Sequence, residues 1–286
     1  MEPTSRFATG ADGNQIHCLE WSSEGVPMLL LHGFGNEAHI WDDFATAVAP
    51  YYRTIAMDHR GHGDSDWGAE GQYDYDSMVR DVEAVTAELG IERLVIVGHS
   101  MGGRVATLFV DRHPDRIAGF ILIDIGPDLD PRGSTRIRMD IAANANPTFA
   151  SIEEYARALT LAYPEARPDA IDRMARHGVR RRDDGLYELK MDPGLRGGAI
   201  AEDPERAHES LSPELQWHAL ARAKCPTLVV RGAASDILSA DTADKMVDEV
   251  LADGRLAVVP RAGHSVMTDN PEGFEEALSG FLLSEE

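Results

Sequence analysis

Cysteine is scarce: Cys18 and Cys225 are the only two in 286 residues, and neither stands in a CxxC pair. Thiols so far apart read as independent buried residues, and the expected compartment is a reducing cytoplasm. Basic residues are also in short supply, 27 Lys plus Arg against 49 Asp plus Glu, for a net charge of −22. So acidic a surface repels phosphate backbones and anionic lipid, which argues against nucleic-acid binding and polybasic membrane anchoring. Long apolar runs are missing as well. The start, Met1 to Arg6, has no apolar signal-peptide region, and the stretch Val26–Leu31 is far too short to span a bilayer. No internal repeat or low-complexity tract occurs. What remains is a chain with 43% hydrophobic residues, enough for one large α/β domain or two small ones with a sizeable core.

Short apolar runs alternate with amphipathic stretches, the pattern of a parallel sheet covered by helices on both faces. Strands are predicted over 16–21, 28–32, 53–58, 94–98, 119–124, 227–232 and 255–260, and helices over 40–48, 75–89, 101–112, 240–251 and 271–283. In the second of these helices Met78, Val82, Val85 and Leu89 form one stripe. The rhythm breaks over 127–213, which is polar, Arg-rich and punctuated by prolines, and resumes at Thr227. The expected organisation is a core of 1–126 and 214–286 with a helical lid or cap of 127–213 inserted after the sixth strand. Its few apolar segments argue against an independent core.

The densest chemical signal is Gly98-His99-Ser100-Met101-Gly102, between an aliphatic strand and a helix. Gly-x-Ser-x-Gly in that setting makes a tight strand-to-helix turn that lifts the serine hydroxyl to the sheet edge, with a helix N-terminus behind it. A serine hydroxyl needs a base, and His264 follows the last strand at the same edge. The imidazole in turn needs a carboxylate. Asp236, four residues past Gly232, and Asp124, ending the strand before the insertion, both qualify; Asp236 is the preferred acid because its loop carries the pattern Gly-x-x-x-Asp ahead of a helix. An oxyanion requires two backbone donors, expected at Met101 and, in His32-Gly33-Phe34-Gly35, at Phe34, with His32 and Gly33 beside the substrate. The cluster Asp58-His59-Arg60-Gly61-His62-Gly63-Asp64 is read as a hydrogen-bonded loop, since metal sites need ligands converging from elsewhere, so no metal is expected.

Together the segments at 29–35, 58–66, 98–103, 231–236 and 262–265 resemble the α/β-hydrolase superfamily. That resemblance implies an eight-stranded, mostly parallel sheet flanked by helices, with a cap after strand 6. It further implies a triad of Ser100, Asp236 and His264, oxyanion donors at Phe34 and Met101, and no cofactor. Some relatives take the acid from the end of the sixth strand, here Asp124, and cofactor-free dioxygenases similar to the family keep a His-Asp dyad with that acid. Epoxide hydrolases and haloalkane dehalogenases carry an aspartate where Ser100 stands, and C–C hydrolases often have a tryptophan where Ser265 stands. The expected activity is cleavage of a carboxylic ester or lactone of a small organic molecule through an acyl-enzyme. The alternatives are C–C hydrolysis of a vinylogous diketone and a non-catalytic small-ligand receptor of the same fold. The segment 179–193 resembles the cap of small-ester hydrolases and lactonases. Among the arginines of the insertion, Arg132, Arg136, Arg138 and Arg196, the last is the candidate grip for a substrate carboxylate. Trp217, with Met139, Phe149, Tyr155 and Leu159, is expected in the pocket wall. A small-molecule substrate is the expected partner, and a homodimer is compatible with the sequence.

Overall fold

Aliphatic runs with no polar face can fold stably only where both sides of a sheet are covered. In the computed structural model, which describes residues 1–68, 72–143, 146–196 and 212–282, such runs form the centre of the molecule. In chain order the first strands are β1 (Thr4–Thr9), β2 (Gln15–Glu20), β3 (Val26–Leu31), β4 (Tyr52–Met57), β5 (Leu94–His99) and β6 (Ile117–Ile123). Three short strands follow, β7 (Thr148–Phe149), β8 (Val179–Arg181) and β9 (Tyr187–Leu189), and then β10 (Thr227–Gly232) and β11 (Gly254–Val259).

The main sheet has eight strands in the order β1-β2-β4-β3-β5-β6-β10-β11. β2 is antiparallel to both β1 and β4, and every other neighbouring pair is parallel. β1 escapes the sequence reading because it is an edge strand with one buried side chain, Ala8, and so lacks an apolar run.

Period-two alternation sorts the buried side chains to two faces. Leu29, Leu31, Ile96, Phe120 and Leu122 pack under the helices Tyr75–Glu88, Met101–Arg112 and Pro213–Ala221 through Val82, Val85, Val105, Phe109 and Leu220. Met28, Leu30, Val95, Val97, Ile121 and Ile123 face the other way, onto Trp41, Phe44, Phe274 and Leu278. The helices over 42–48 and 271–282 carry Phe44, Phe274 and Leu278 there.

Between β6 and β10 the chain leaves the sheet. It forms helices Pro131–Ala143, Ile152–Ala162, Pro168–His177 and Pro193–Arg196, together with a three-stranded antiparallel sheet ordered β7-β9-β8. The insertion expected to be helical thus also carries a small sheet. Strands of two or three residues are too short to show a period, and β8 and β9 are joined by the polar turn around Asp184 and Gly185. Apolar clusters here are small, one around Leu159, Ile171 and Met174 and another around Phe149, Val179 and Leu189.

Polar ties fasten this segment to the sheet. Arg173 pairs with Asp43 at 2.7 Å, His177 stacks on His39 with ring centroids 3.5 Å apart, and the Asp192 N–H donates to the Gly61 carbonyl at 2.8 Å. Both cysteines are buried free thiols. No described helix is long and apolar enough to cross a membrane.

Candidate active site

β5 runs straight into the helix Met101–Arg112, and Ser100 occupies the single residue between them with φ 52° and ψ −118°. A positive φ on a residue with a side chain stores about 1–3 kcal/mol of strain and persists only when its surroundings enforce it. Two glycines enforce it. A Cβ at Gly98 would lie 2.6 Å from the Gly102 carbonyl oxygen, and one at Gly102 would lie 2.4 Å from the Leu31 carbonyl oxygen. Gly102 also donates its N–H to His32 O at 3.1 Å, and Ser100 N–H to Ile123 O at 3.2 Å, so the turn is bolted to the ends of β3 and β6.

Ser100 Oγ lies 3.0 Å from His264 Nε2, and His264 Nδ1 lies 2.8 Å from Asp124 Oδ2. A carboxylate only accepts, so Nδ1 carries the proton and Nε2 presents its lone pair to the serine hydroxyl. Asp124 is fully buried at the end of β6, with φ 49°. Its other partners are the Gly232 N–H, 3.0 Å from Oδ1, and the Ser235 hydroxyl, 2.6 Å from Oδ2. Three donors thus hold the charge in a dry position.

The preferred sequence candidate, Asp236, does not reach the imidazole. Its oxygens take a bidentate bond from Arg136, Nε to Oδ2 at 2.8 Å and Nη2 to Oδ1 at 2.9 Å. That guanidinium holds its carboxyl below the usual range. The physical reason is loop direction. Ser235 turns back under Asp124, donating from its own hydroxyl and accepting from Ile237 and Leu238 N–H, so the next side chain swings toward the insertion.

Above Ser100 and His264 opens a cavity of about 670 Å³. Its floor includes Gly33, Phe34 and His99, and its roof is drawn from the insertion, with Phe149, Tyr155 and Leu159. Gly33, Phe149, Tyr155 and Leu159, each expected near the substrate, line this cavity. His32 does not line the cavity: it is wholly buried, its Nδ1 donating to Gly33 O at 2.8 Å and its Nε2 accepting from His59 N–H at 3.0 Å. It shapes the loop from below. Trp217 is also elsewhere, donating from Nε1 to Asp128 at 3.1 Å beneath Lys245, because its helix packs on the sheet rather than on the insertion. Met139 is exposed. The side chains of Arg196 and Arg138 lie outside the described residues. Met101 opens its helix, so its N–H has no acceptor within the helix.

His17 of β2 with Asp58 and Asp64 of the loop after β4 form the one group of potential metal ligands close together among the described residues. Asp58 is already saturated by Ala38 N–H at 2.6 Å, Asp64 N–H at 2.9 Å and His17 at 2.8 Å, while Asp64 pairs with Lys190 at 2.7 Å. These are the bonds of a structural hub that holds the loops around the site.

The motifs do not single out His99, Glu37 or Asp269, yet all three line the cavity. His99 donates from Nε2 to the backbone oxygen of His264 at 2.9 Å, and burial, then the neighbouring His264, draws its pKa well below the usual imidazole range. Burial pushes the Glu37 carboxyl well above its ordinary range and that of Asp269 up to about 6. Their only sequence signals are position, one inside Gly-x-Ser-x-Gly and the others just past Gly33–Gly35 and His264.

Comparison with known proteins agrees with this architecture. The profile of the alpha/beta hydrolase fold matches residues 26–271. A 2-(acetamidomethylene)succinate hydrolase of Mesorhizobium japonicum is 27% identical over 258 residues, 90% of this chain and 88% of that protein. An esterase of Mycobacterium tuberculosis is 24% identical over 276 residues, 93% of this chain and 86% of its own. The crystal structure of an alpha/beta hydrolase from Novosphingobium aromaticivorans superposes with a TM-score of 0.82 at 31% identity, covering 99% of this chain and 98% of that one. By sheet order, by the turn that carries Ser100 and by these matches, the chain belongs to the alpha/beta hydrolase family.

Proposed function

We propose that this hydrolase cleaves a carboxylic ester or lactone of a small organic molecule through an acyl-enzyme on Ser100. The observation that carries the reading is the relay from Ser100 Oγ to His264 Nε2 at 3.0 Å and from Nδ1 to Asp124 at 2.8 Å. His264 takes the hydroxyl proton as Oγ attacks the carbonyl, and Asp124 stabilises the imidazolium that forms. The backbone N–H groups of Met101 and Phe34 are assigned to the oxyanion, each worth about 3 kcal/mol to the transition state. His264 then gives its proton to the leaving alcohol, and water activated by the same imidazole releases the acid. Asp236 is assigned a different task, anchoring the start of the insertion, which serves as the lid over the cavity.

The esterase among the relatives supports an ester substrate. The succinate-derived substrate named for the Mesorhizobium relative is not carried over, because Arg136, the guanidinium that lines this cavity among the described residues, is already bound bidentately by Asp236. Labelling with a fluorophosphonate, read by intact-protein mass, tests the reading. One adduct on the wild type and none on Ser100→Ala is expected. A folded wild type that takes no adduct, and hydrolyses no activated ester, would overturn it.

A further inference from the structure

The cavity over Ser100 has an unusual electrical lining. Glu37, Glu165 and Asp269 all face it. One oxygen of Glu37 accepts the His39 N–H at 2.8 Å, and one of Asp269 accepts the Gly263 N–H at 2.9 Å. Among the described residues the remaining oxygens of these two buried or half-buried groups have no protein donor, and none of the three carboxylates is in an ion pair. Glu37 is 7% exposed. Burial of both groups, and the charge of Glu165 beside Asp269, disfavour their ionised forms. Carboxylates that keep such a penalty with no cation paired to them are ones whose penalty an incoming cation relieves. The remaining walls suit the same guest: Phe34, Phe149, Tyr155 and Tyr163 offer aromatic surface, and a cation is attracted to an aromatic face. Outside the cavity, the net charge of −22 steers cations toward the molecule and anions away from it.

We infer that the substrate carries a cationic, ammonium-type group, lodged between Glu37, Asp269 and the aromatic roof while its ester carbonyl lies at Ser100. This rests on the ester-hydrolase reading for the reaction but not for the binding. Anionic acyl groups are disfavoured by the same carboxylates, and Arg136, the guanidinium that lines the cavity among the described residues, is already held by Asp236.

The test uses the full chain at pH 8 and two series of esters, charged on the acyl side or on the alcohol side. Each series compares a trimethylammonium end, its neutral tert-butyl isostere and a carboxylate of equal length. The cationic ester of at least one series is expected to exceed its neutral isostere about tenfold in kcat/KM, the increment of a buried cation contact, with the carboxylate slowest. In parallel, calorimetry on Ser100→Ala measures binding of the same compounds, with the same order expected. Glu37→Gln and Asp269→Asn should each shrink the ratio of cationic to neutral binding. Equal or weaker binding of the cationic compounds in both series overturns the inference, whether or not any ester is hydrolysed. Preferential cation binding with no hydrolysis of any ester upholds it and overturns the ester-hydrolase reading alone.

Discussion

Asp124 meets His264 from the end of β6, its Oδ2 2.8 Å from Nδ1, while its backbone sits at a positive φ of 49° that a residue with a side chain rarely adopts. Strain, full burial and three converging donors all serve one orientation of one carboxylate. Replacing Asp124 by Asn keeps the shape but swaps an obligatory acceptor for a group that also donates, which allows the wrong imidazole tautomer. The expected loss in kcat is about 10³–10⁴-fold. Asp236→Asn should change kcat by less than about tenfold, because it loses only a partly exposed ion pair worth about 1 kcal/mol or less. Steady-state kinetics on an activated ester decides. A larger loss from Asp236→Asn than from Asp124→Asn would reverse the assignment.

His99 is expected to act as a positioning residue. Its Nε2–H donates to the carbonyl oxygen of His264 itself and so fixes the loop that carries the base. His99→Phe leaves that buried oxygen without a donor, a loss of about 1–3 kcal/mol. The predicted result is a fall in kcat of about 5- to 100-fold with KM little changed, partly restored in His99→Gln, which can donate again. Equal impairment by Phe and Gln would point to packing rather than to the hydrogen bond.

The turn at Ser100 should tolerate no side chain behind it. Gly102→Ala sets a methyl 2.4 Å from the Leu31 carbonyl oxygen, which belongs to the central strand β3 and cannot move aside as a flexible side chain would. Overpacking of this kind destabilises by about 1–3 kcal/mol or more. Urea denaturation should show a lower midpoint, together with loss of fluorophosphonate labelling, since the nucleophile shifts with the turn. Gly280→Ala is the control for the melt, since nothing lies within 4 Å of its Cβ and its φ is not positive.

Acid should destabilise the fold below about pH 6.5 through its buried histidines. His59 is completely buried and neither ring nitrogen has a hydrogen-bond partner among the described residues; burial, reinforced by His62, brings its pKa down to about 3. Unfolded, it takes up a proton near pH 6.5. Between those values the unfolded state binds more protons, so this contribution to stability is complete above about pH 6.5 and declines as pH falls, by up to about 1.4 kcal/mol per pH unit. Burial also lowers the pKa of His32 and His99, which adds to the slope in the same direction. Denaturation midpoints at pH 8, 6 and 5 should therefore fall steeply between 6 and 5. A flat profile there would show that these rings are not buried and neutral.

Much of the molecule is decided locally and is therefore legible in the sequence. An aliphatic run needs both sheet faces covered, so β3, β5 and β6 announce a buried parallel sheet. Gly98 and Gly102 announce the turn at Ser100, since only glycine permits backbone approach at 2.4–2.6 Å from a would-be Cβ. His264 follows from its place after the last strand. Other features are set by pairings between distant residues. Asp124 and Asp236 leave neighbouring parallel strands toward the same edge, and nothing in either segment states which side chain turns to the imidazole. Ser235 binding back to Asp124, and Arg136 arriving from a position 100 residues earlier to take Asp236, decide it. Likewise β7, β8 and β9 are too short to carry a period, and the exposed edge strand β1 has too few apolar positions. The cavity's Glu37 and Asp269 stand in no motif. The aliphatic strands, the turn at Ser100 and the position of His264 are thus legible along the chain, because each is marked by residues close to it in sequence. The carboxylate that meets His264 and the charge lining the cavity are settled by packing, because both depend on side chains brought together from distant parts of the chain.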